Sequence, residues 1–321
     1  MTLPDGKPLR LVFGETVTEL AARDPRIVVL DGDLGSSTQA RIFEDAYPDR
    51  FYQMGIAEQN MLGVAAGMAK VGLVPFISTF VAFALHRPLD QIRVLIAQTG
   101  ANVKITAGYC GLFTGKAGKT HQIVDDISIA RAMPGMVVVS PADEVETKEV
   151  MAWSLDHDGR VFIRLVRDVT QQLFQPGHRF QFGAVKVVRE GSDITLISTG
   201  TQTPRVVDAA DILAEAGIDA HVVHMPTIKP SDVAGVVAAA EKTGRVVTVE
   251  EHTVIGGLGG AVAETLSEYR PTRVDRIGLQ DIYTESATDE ELLDMYCLSA
   301  ERVAQRVQKL LASEVPVTAC D

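Results

Sequence analysis

Short apolar runs alternate with longer segments of helical periodicity along most of the chain, and this alternation predicts a strand and helix repeat. The runs are bounded by Gly, Pro, Asp or Ser, as buried strands are. In the first half they lie at residues 27–30, 73–78, 102–107, 136–139 and 161–166, and in the second half at 194–198, 220–224, 245–249 and 273–277. Strands that alternate with helices form mainly parallel sheets flanked by helices, so the pattern predicts an α/β fold.

A polar stretch divides this pattern in two. Residues 168–181 are mostly polar and include a Pro-Gly pair, as interdomain connections do. We therefore expect two consecutive domains, 1–175 and 176–321, each with its own mainly parallel sheet. A chain of 321 residues is long enough to build both cores. Amphipathic helices are predicted at 9–22 and 302–311.

Composition excludes several classes of partner. Forty-two acids against 30 bases give a net charge of −12 without a basic run, so no nucleic acid partner is expected. No apolar run approaches the ~20 residues of a membrane span, and the first residues lack an apolar signal core, so no membrane partner is expected. The three cysteines, Cys110, Cys297 and Cys320, are odd in number and lack metal-ligand spacing. They favour a reducing, cytoplasmic location and argue against a disulfide framework or a zinc site.

One acid stands out at the predicted start of a helix. Glu58 lies in the stretch Gly-Ile-Ala-Glu-Gln-Asn at residues 55–60, and small apolar residues follow it. Gly63 and Gly67 lie one turn apart and would let another backbone approach, so we expect Glu58 to be buried, where the neutral acid is favoured. The alternative is a helix-start acid that only complements the helix dipole.

Other candidates also have two interpretations. Asp33 and Ser37 follow a buried strand, where open α/β sheets bind ligands, but they also fit an ordinary turn. Phe80, Phe83 and His86 share one helical face, which equally describes plain core.

The glycine-rich loop 108–122 predicts either a flexible lid or a surface loop. His121 within it could exchange a proton with a substrate hydroxyl, or could simply be exposed. Lys116 and Lys119 could attract an anion or be solvated, and Arg167 could be a surface ion pair.

The glycines at 255–260 could cradle a phosphate at a helix start, but the fingerprint spacing fails, so we expect close strand-to-helix packing. Glu250, Glu251 and His252 beside them are expected at a surface or an interface.

Three motifs together resemble one enzyme family. The stretch 55–60, Ser-Thr-Phe at 78–80 and Thr-His-Gln at 120–122 resemble the pyrimidine-binding domain of transketolases and related thiamine diphosphate enzymes. The resemblance extends from about Arg10 to the C-terminus. It implies that Glu58 hydrogen-bonds the aminopyrimidine ring of the cofactor and promotes its imino tautomer.

The same resemblance assigns the other site residues. It implies cofactor binding by Asp33, Phe80, Phe83 and His86, with Phe80 stacked on the pyrimidine. It also implies that Arg10, Ser37 and Arg167 bind the phosphate of a phosphorylated sugar and that His121 binds substrate and assists proton transfer.

Two residues depart from the family pattern. Ala117 stands where many transketolases have the acid of Gly-Glu-Asp-Gly, and Tyr109 stands where a phosphate-site histidine is common. Both departures bear on the choice of sugar.

The family's magnesium and diphosphate motif, Gly-Asp-Gly followed by Asn, is absent from the sequence, since Leu34 follows Gly32-Asp33. The resemblance therefore implies a C-terminal subunit of a split transketolase. An N-terminal subunit would hold Mg²⁺ and the diphosphate, in a heterotetramer with two of each chain. The alternatives are the beta subunit of a 2-oxo-acid dehydrogenase, a 1-deoxyxylulose-5-phosphate synthase and a non-catalytic regulatory or scaffold homologue.

Overall fold

A computed structural model describes residues 3–312, and within them the strands form two sheets, of seven and five strands, flanked by helices. The strands are β1 (Ile27–Asp31), β2 (Phe51–Gln53), β3 (Val74–Ser78), β4 (Lys104–Ile105), β5 (Val137–Val139), β6 (Val161–Ile163), β7 (Lys186–Arg189), β8 (Ile194–Ser198), β9 (Ala220–His224), β10 (Thr227–Lys229), β11 (Arg245–Thr253) and β12 (Arg273–Leu279). The helices are α1 (Leu9–Ala21), α2 (Gly35–Thr38), α3 (Arg41–Ala46), α4 (Glu58–Lys70), α5 (Val81–His86), α6 (Leu89–Gln91), α7 (Asp126–Ala132), α8 (Glu144–Asp156), α9 (Gln202–Glu215), α10 (Val233–Thr243), α11 (Leu258–Tyr269), α12 (Asp289–Met295) and α13 (Ala300–Ala312). Single turns of 3₁₀ helix cover Pro48–Arg50 and Gly115–Ala117, and a π-helical segment covers Ile92–Ala97. The predicted α/β fold class is confirmed.

The two sheets are mainly parallel, as predicted. The first runs in the order β10-β5-β6-β4-β3-β1-β2, and the second in the order β12-β11-β8-β9-β7. Among the described strands, only β10 against β5 and β7 against β9 pair antiparallel. β10 belongs by sequence to the second half of the chain but completes the first sheet, so the two domains share a sheet edge. The boundary between residues 175 and 176 stays a prediction.

Two strands are shorter than the sequence indicated. β4 covers Lys104–Ile105 and not 102–107, and β6 ends at Ile163 and not at 166. The reason is that their parallel partners pair with them over only two or three residues. The chain beyond each strand leaves the sheet and forms the loops that carry site residues.

Buried charges join the two domains. Arg164, just after β6, donates from Nε to Asp126 Oδ2 at 2.7 Å and from Nη2 to the Glu251 carbonyl at 2.8 Å. Burial alone would lower the pKa of Arg164, but Asp126 and Glu251 raise it. Because Glu251 lies on β11, this guanidinium ties the first domain to the second.

Of the two alternatives for residues 250–252, a surface is wrong, whereas an interface agrees with the contacts of Glu251 to Leu112 and Arg164 of the first domain. Glu250, Glu251 and His252 are buried near the end of β11, a strand inside the second sheet. Glu250 accepts hydrogen bonds from Leu258 N at 2.6 Å and Gly259 N at 2.8 Å, so its carboxylate caps α11. Burial raises the pKa of Glu250 to about 7, although these hydrogen bonds oppose it. The Glu250 carboxylate thus occupies the start of α11, where a phosphate could otherwise bind, and the predicted close packing of strand and helix is confirmed.

The cysteine argument needs a correction. Cys297 is disulfide-bonded, so the argument against disulfides is wrong at this residue. Cys110 is a buried free thiol, and burial raises its pKa. Cys320 lies outside the described residues. Cysteine usage therefore no longer supports a reducing compartment. In the described part of the chain, no helix has the length and apolar character to cross a membrane.

A buried glutamate at the domain junction leads to a prediction about acid stability. Glu146 on α8 contacts His224 Nε2 at 2.8 Å and His178 Nε2 at 3.6 Å. Burial alone would raise the pKa of Glu146, but the electrostatic interaction with His224 and hydrogen bonds lower it from 4.5 to about 2. A lowered folded-state pKa stabilises the fold above the unfolded value, and this stabilisation is lost as the pH falls through the folded value.

We therefore expect Glu146→Gln to remove about 3 kcal/mol of pH-dependent stability between about pH 4.5 and about pH 2. Urea unfolding at a series of pH values measures it. The matched control is Glu149→Gln on the same helix, whose carboxylate pairs with the exposed Arg179 at 3.1 Å. If the free energy of unfolding changed with pH in the same way for wild type and Glu146→Gln, the lowered pKa would not belong to Glu146.

Candidate active site

The loop after β1 is shaped by Asp31, the last residue of that strand. Its Oδ2 accepts hydrogen bonds from Leu34 N at 2.9 Å, Gly35 N at 3.0 Å and Gln53 Nε2 at 3.0 Å. Burial raises the pKa of Asp31, although these hydrogen bonds oppose it. The turn holds Asp33 in the left-handed region, with φ 66°, and leaves its side chain exposed.

Glu58 is the first residue of α4, and its side chain is 4% exposed, as predicted. Arg87 donates from Nη1 to Glu58 Oε1 at 2.5 Å, which the sequence did not predict. The close approach expected at the helix glycines is not found within residues 3–312. A Cβ at Gly63 would touch only Leu95, at 3.8 Å, and one at Gly67 would have nothing within 4 Å. That side of α4 faces outward, so the glycines do not cause the burial of Glu58.

A cavity of about 370 Å³ brings several predicted residues together. It is lined by Gly32, Asp33, Leu34, Ile56, Glu58, Phe83, Arg87, Thr120 and His121. These residues come from the loop after β1, the start of α4, α5 and the glycine-rich loop. The cavity is thus lined by two carboxyl groups, one guanidinium, one imidazole and one aromatic ring.

A series of rings leads away from the cavity. His121 meets the Phe83 ring edge-on, with centroids 5.4 Å apart, and Phe83 stacks on Phe80 at 5.6 Å. Phe80 in turn stacks on Tyr109 at 3.8 Å. The guanidinium carbon of Arg87 lies 4.0 Å from the Phe83 ring centroid, a cation–π distance. The rings of Phe80 and Phe83, which the sequence analysis expected to contact a ligand, are therefore also in contact with other protein side chains.

The structure does not place His86 in the cavity lining. Its Nε2 lies 3.0 Å from Asp125 Oδ1, and this hydrogen bond raises the pKa of His86 against the effect of burial. His121, by contrast, contacts Thr120 Oγ1 through Nδ1 at 2.9 Å, which fixes one side of its ring.

The three predicted anion-binding residues converge on Tyr109. Its hydroxyl donates to the Ser37 carbonyl at 3.2 Å and accepts from Arg10 Nη1 at 3.3 Å. The guanidinium carbon of Arg167 lies 5.5 Å from the same ring. Two positive charges thus flank one aromatic side chain, beyond the Phe80 ring as seen from the cavity.

Family models cover most of the chain. The model described as transketolase, pyrimidine binding domain, matches residues 6–172, and the model described as transketolase, C-terminal domain, matches residues 183–303. The chain belongs to the transketolase family. Membership implies thiamine diphosphate dependence in general, as the motifs suggested.

Individual transketolase-family relatives match over nearly their whole length. A protein named as a transketolase C-terminal section from Methanocaldococcus jannaschii is 40% identical, covering 96% of this chain and 98% of the relative. A 6-deoxy-6-sulfo-D-fructose transketolase subunit from a Clostridium species is 37% identical, covering 94% of each. A solved split gene transketolase, described as an inactive beta4 tetramer, has a TM-score of 0.89 and 43% identity, covering 96% of this chain and 99% of that one.

The cavity fits the pyrimidine end of the family's cofactor. A flat heteroaromatic ring needs an apolar or aromatic wall and a hydrogen-bonding group at its edge. Phe83 and Ile56 supply the wall, and the buried Glu58 carboxylate supplies the group at the edge. For the metal, the described residues contain no group of three or more His, Cys, Asp or Glu side chains arranged to hold an ion.

Two residues of the site in this transketolase-family chain, Arg87 and Asp31, were not predicted from the sequence, nor was the stacking contact of Tyr109. Arg87 follows Phe83 by four positions, and this helical spacing was a signal that could have suggested the cation–π pair. Asp31, which shapes the loop, carried the weaker signal of an acid at a strand end. Tyr109 was recognised as a departure, but its stacking on Phe80 joins residues 29 positions apart and left no local pattern.

Proposed function

We propose that this chain is the C-terminal subunit of a thiamine diphosphate-dependent split transketolase. It transfers a two-carbon ketol unit from a ketose phosphate to an aldose phosphate, together with an N-terminal subunit. The observation that carries the proposal is the cavity that Glu58 and His121 line together, with the His121 ring edge-on to the Phe83 ring.

The predicted residues in and around the cavity receive these roles. Thiamine diphosphate, when bound, supplies an electron sink for cleaving the carbon–carbon bond next to a ketose carbonyl. Glu58 would hydrogen-bond a ring nitrogen of the aminopyrimidine and share a proton with it. Phe83, with Phe80 stacked on it, would hold the pyrimidine ring, and Asp33 would help to hold the thiazolium end of the cofactor. His86 supports the pocket from outside its lining. His121 moves a proton to or from a substrate hydroxyl, because an imidazole can act as both general acid and general base.

The anionic end of the sugar is assigned to the residues around Tyr109. Arg10 and Arg167 offer guanidinium groups whose forked donors suit phosphate oxygens, and Ser37 contributes beside them. Sulfonate oxygens suit the same forks, and one relative is named for a sulfo-sugar. The Tyr109 hydroxyl already hydrogen-bonds the Ser37 carbonyl and Arg10. We therefore expect Tyr109 to reduce the space that these residues leave for the anionic group of the sugar.

The partner follows from what the sequence lacks. Because the chain has no Gly-Asp-Gly motif, an N-terminal subunit supplies the diphosphate and Mg²⁺ sites, in a heterotetramer with two of each chain. The solved relative described as an inactive tetramer of one subunit supports this arrangement. We propose a cytoplasmic location, where sugar phosphates are available.

Reconstitution tests the proposal. The purified chain should show no ketol transfer with xylulose 5-phosphate and ribose 5-phosphate, because half of the cofactor site is missing. Activity should appear on mixing with a polypeptide that carries Gly-Asp-Gly and a downstream Asn, with thiamine diphosphate and Mg²⁺. Full activity of the chain alone would overturn the split arrangement.

The same mixture separates the rival functions. Decarboxylation of pyruvate without ketol transfer would favour a 2-oxo-acid dehydrogenase, and condensation of pyruvate with glyceraldehyde 3-phosphate would favour a 1-deoxyxylulose-5-phosphate synthase. A pair that assembles but neither binds the cofactor nor turns over any of these substrates would favour the non-catalytic role.

A further inference from the structure

The glycine-rich loop 108–122 is held by side chains of the other domain. Gln122, next to His121, is buried and accepts a hydrogen bond from Thr284 Oγ1. Its Nε2 donates to the Glu285 carbonyl at 3.2 Å and to the Gly115 carbonyl at 3.2 Å. One amide thus joins the loop to itself and to the segment before α12.

A second anchor lies at the other end of the loop. Leu112 N donates to Glu251 Oε1 at 2.5 Å, and Glu251 is 2% exposed. The neighbouring Gly111 has φ 64°, and a Cβ there would collide with the Glu251 carboxylate. The carboxylate is therefore fitted against the loop backbone at a position that only glycine can occupy.

A third contact joins the middle of the loop to α12. A Cβ at Gly115 would lie 2.5 Å from Asp289 Oδ1, the first residue of α12. At the rim, Lys119 lies 3.4 Å from Glu285. The 3₁₀ turn at Gly115–Ala117 is therefore seated on the second domain.

Glycines make these anchors necessary. Gly108, Gly111, Gly115 and Gly118 have more conformational freedom to lose than other residues, so the loop by itself would be poorly ordered. Near His121 the loop's own support is a turn in which His121 N donates to the Gly118 carbonyl at 2.9 Å. Gln122 links this turn to the second domain through Thr284 and Glu285, beside the ion pair of Lys119 with Glu285.

We propose that the second domain positions the catalytic loop, with Thr284 and Gln122 as a positioning pair that holds His121 over the cavity and Glu251 as the anchor at Leu112. Thr284 contacts neither cofactor nor substrate in this arrangement and acts through Gln122. The catalytic consequence rests on the proposed function of His121, whereas the anchoring itself is a property of the chain alone.

The test compares Thr284→Val with Thr195→Val. Valine replaces each hydroxyl by a methyl of similar size. Thr195 is a matched control, because it is buried in the same domain and donates to the Ala239 carbonyl at 2.8 Å, away from the loop. Thr284→Ser, which keeps the hydroxyl, is the rescue variant.

Hydrogen exchange of the purified chain is the first readout. We expect Thr284→Val to speed amide exchange across residues 111–123 by about 10-fold, the factor that corresponds to one net hydrogen bond. Thr195→Val should leave exchange in this segment unchanged, and Thr284→Ser should restore it. If Thr284→Val does not fold, Gln122→Glu removes the Nε2 donor at similar size and should open the same segment.

Steady-state kinetics of the reconstituted pair is the second readout. We expect kcat/KM to fall by about 10-fold in Thr284→Val, chiefly through kcat, because a displaced His121 is misplaced for proton transfer. Unchanged exchange in the loop would overturn the anchoring. Faster exchange with unchanged kcat, while His121→Ala lowers kcat, would overturn the positioning role.

If the reconstituted enzyme that contains His121→Ala had the wild-type kcat, this result would instead refute the catalytic role of His121 in the proposed function. The catalytic half of the positioning proposal would fall with it, and the exchange result would still decide the anchoring.

Discussion

Glu58→Gln is expected to lower the turnover of the reconstituted enzyme by about 10²- to 10⁴-fold, the range of positioned acid–base groups. The glutamine fills the same volume, and its carbonyl can still accept the hydrogen bond from Arg87. Its amide has no ionisable proton to exchange with a pyrimidine nitrogen, so the loss falls on the chemical step. The free energy of unfolding should change by less than about 1 kcal/mol, because an amide is less costly to bury than a carboxylate.

Turnover is measured at saturating substrate and cofactor, and unfolding is followed with urea on the isolated chain. Glu264→Gln is the matched control, since Glu264 also pairs with an arginine, Arg131, at 2.6 Å but lies on α11 away from the cavity. Its turnover should equal wild type. Wild-type turnover in Glu58→Gln would refute the acid–base role, and global unfolding of that variant would show that Glu58 is structural.

Arg164→Met is expected to destabilise the chain by about 3–5 kcal/mol, the usual consequence of removing one partner of a buried ion pair. The side chains of Arg164 and Asp126 are 3% and 0% exposed, so the loss would leave a carboxylate without compensation in the interior. The hydrogen bond to the Glu251 carbonyl across the domain boundary is lost as well. Urea unfolding of the isolated chain measures the change.

Two further variants make this prediction specific. Arg179→Met removes an arginine that is 83% exposed and paired with Glu149, so it should cost less than about 1 kcal/mol. The double variant Arg164→Met, Asp126→Asn should be more stable than Arg164→Met alone, because the stranded charge is gone. A double variant less stable than the single one would show that charge burial is not the cause.

The sequence predicted nine of the described strands, because most of these are short apolar runs buried on both faces, a pattern that is visible in a single sequence. The strands β2, β7 and β10 escaped prediction because Phe51–Gln53, Lys186–Arg189 and Thr227–Lys229 are not apolar runs. Pairing with β1, β9 and β5 makes them strands. The positions of Glu58 and His121 could be predicted because each lies inside a contiguous motif. The partners of these residues could not.

Those partners are set by three-dimensional packing. The pair of Arg87 with Glu58 joins residues 29 positions apart, and the hydrogen bond of Glu251 to Leu112 joins residues 139 positions apart. No local periodicity records such contacts. The burial of Glu250, Glu251 and His252 was missed for a similar reason. Charged residues are usually exposed, and the sequence does not show the partners that stabilise them here, which are the start of α11 and the Arg164 guanidinium.

The strand shared between the domains has a consequence for anyone who shortens this protein. β5 lies between β6 and β10, and all three of its residues are buried valines. A pyrimidine-binding half produced alone would lack β10 and present this valine edge, with unpaired N–H and C=O groups, to water. Such an edge is a template for other chains, so the trimmed protein should self-associate through added strands and not remain a soluble monomer.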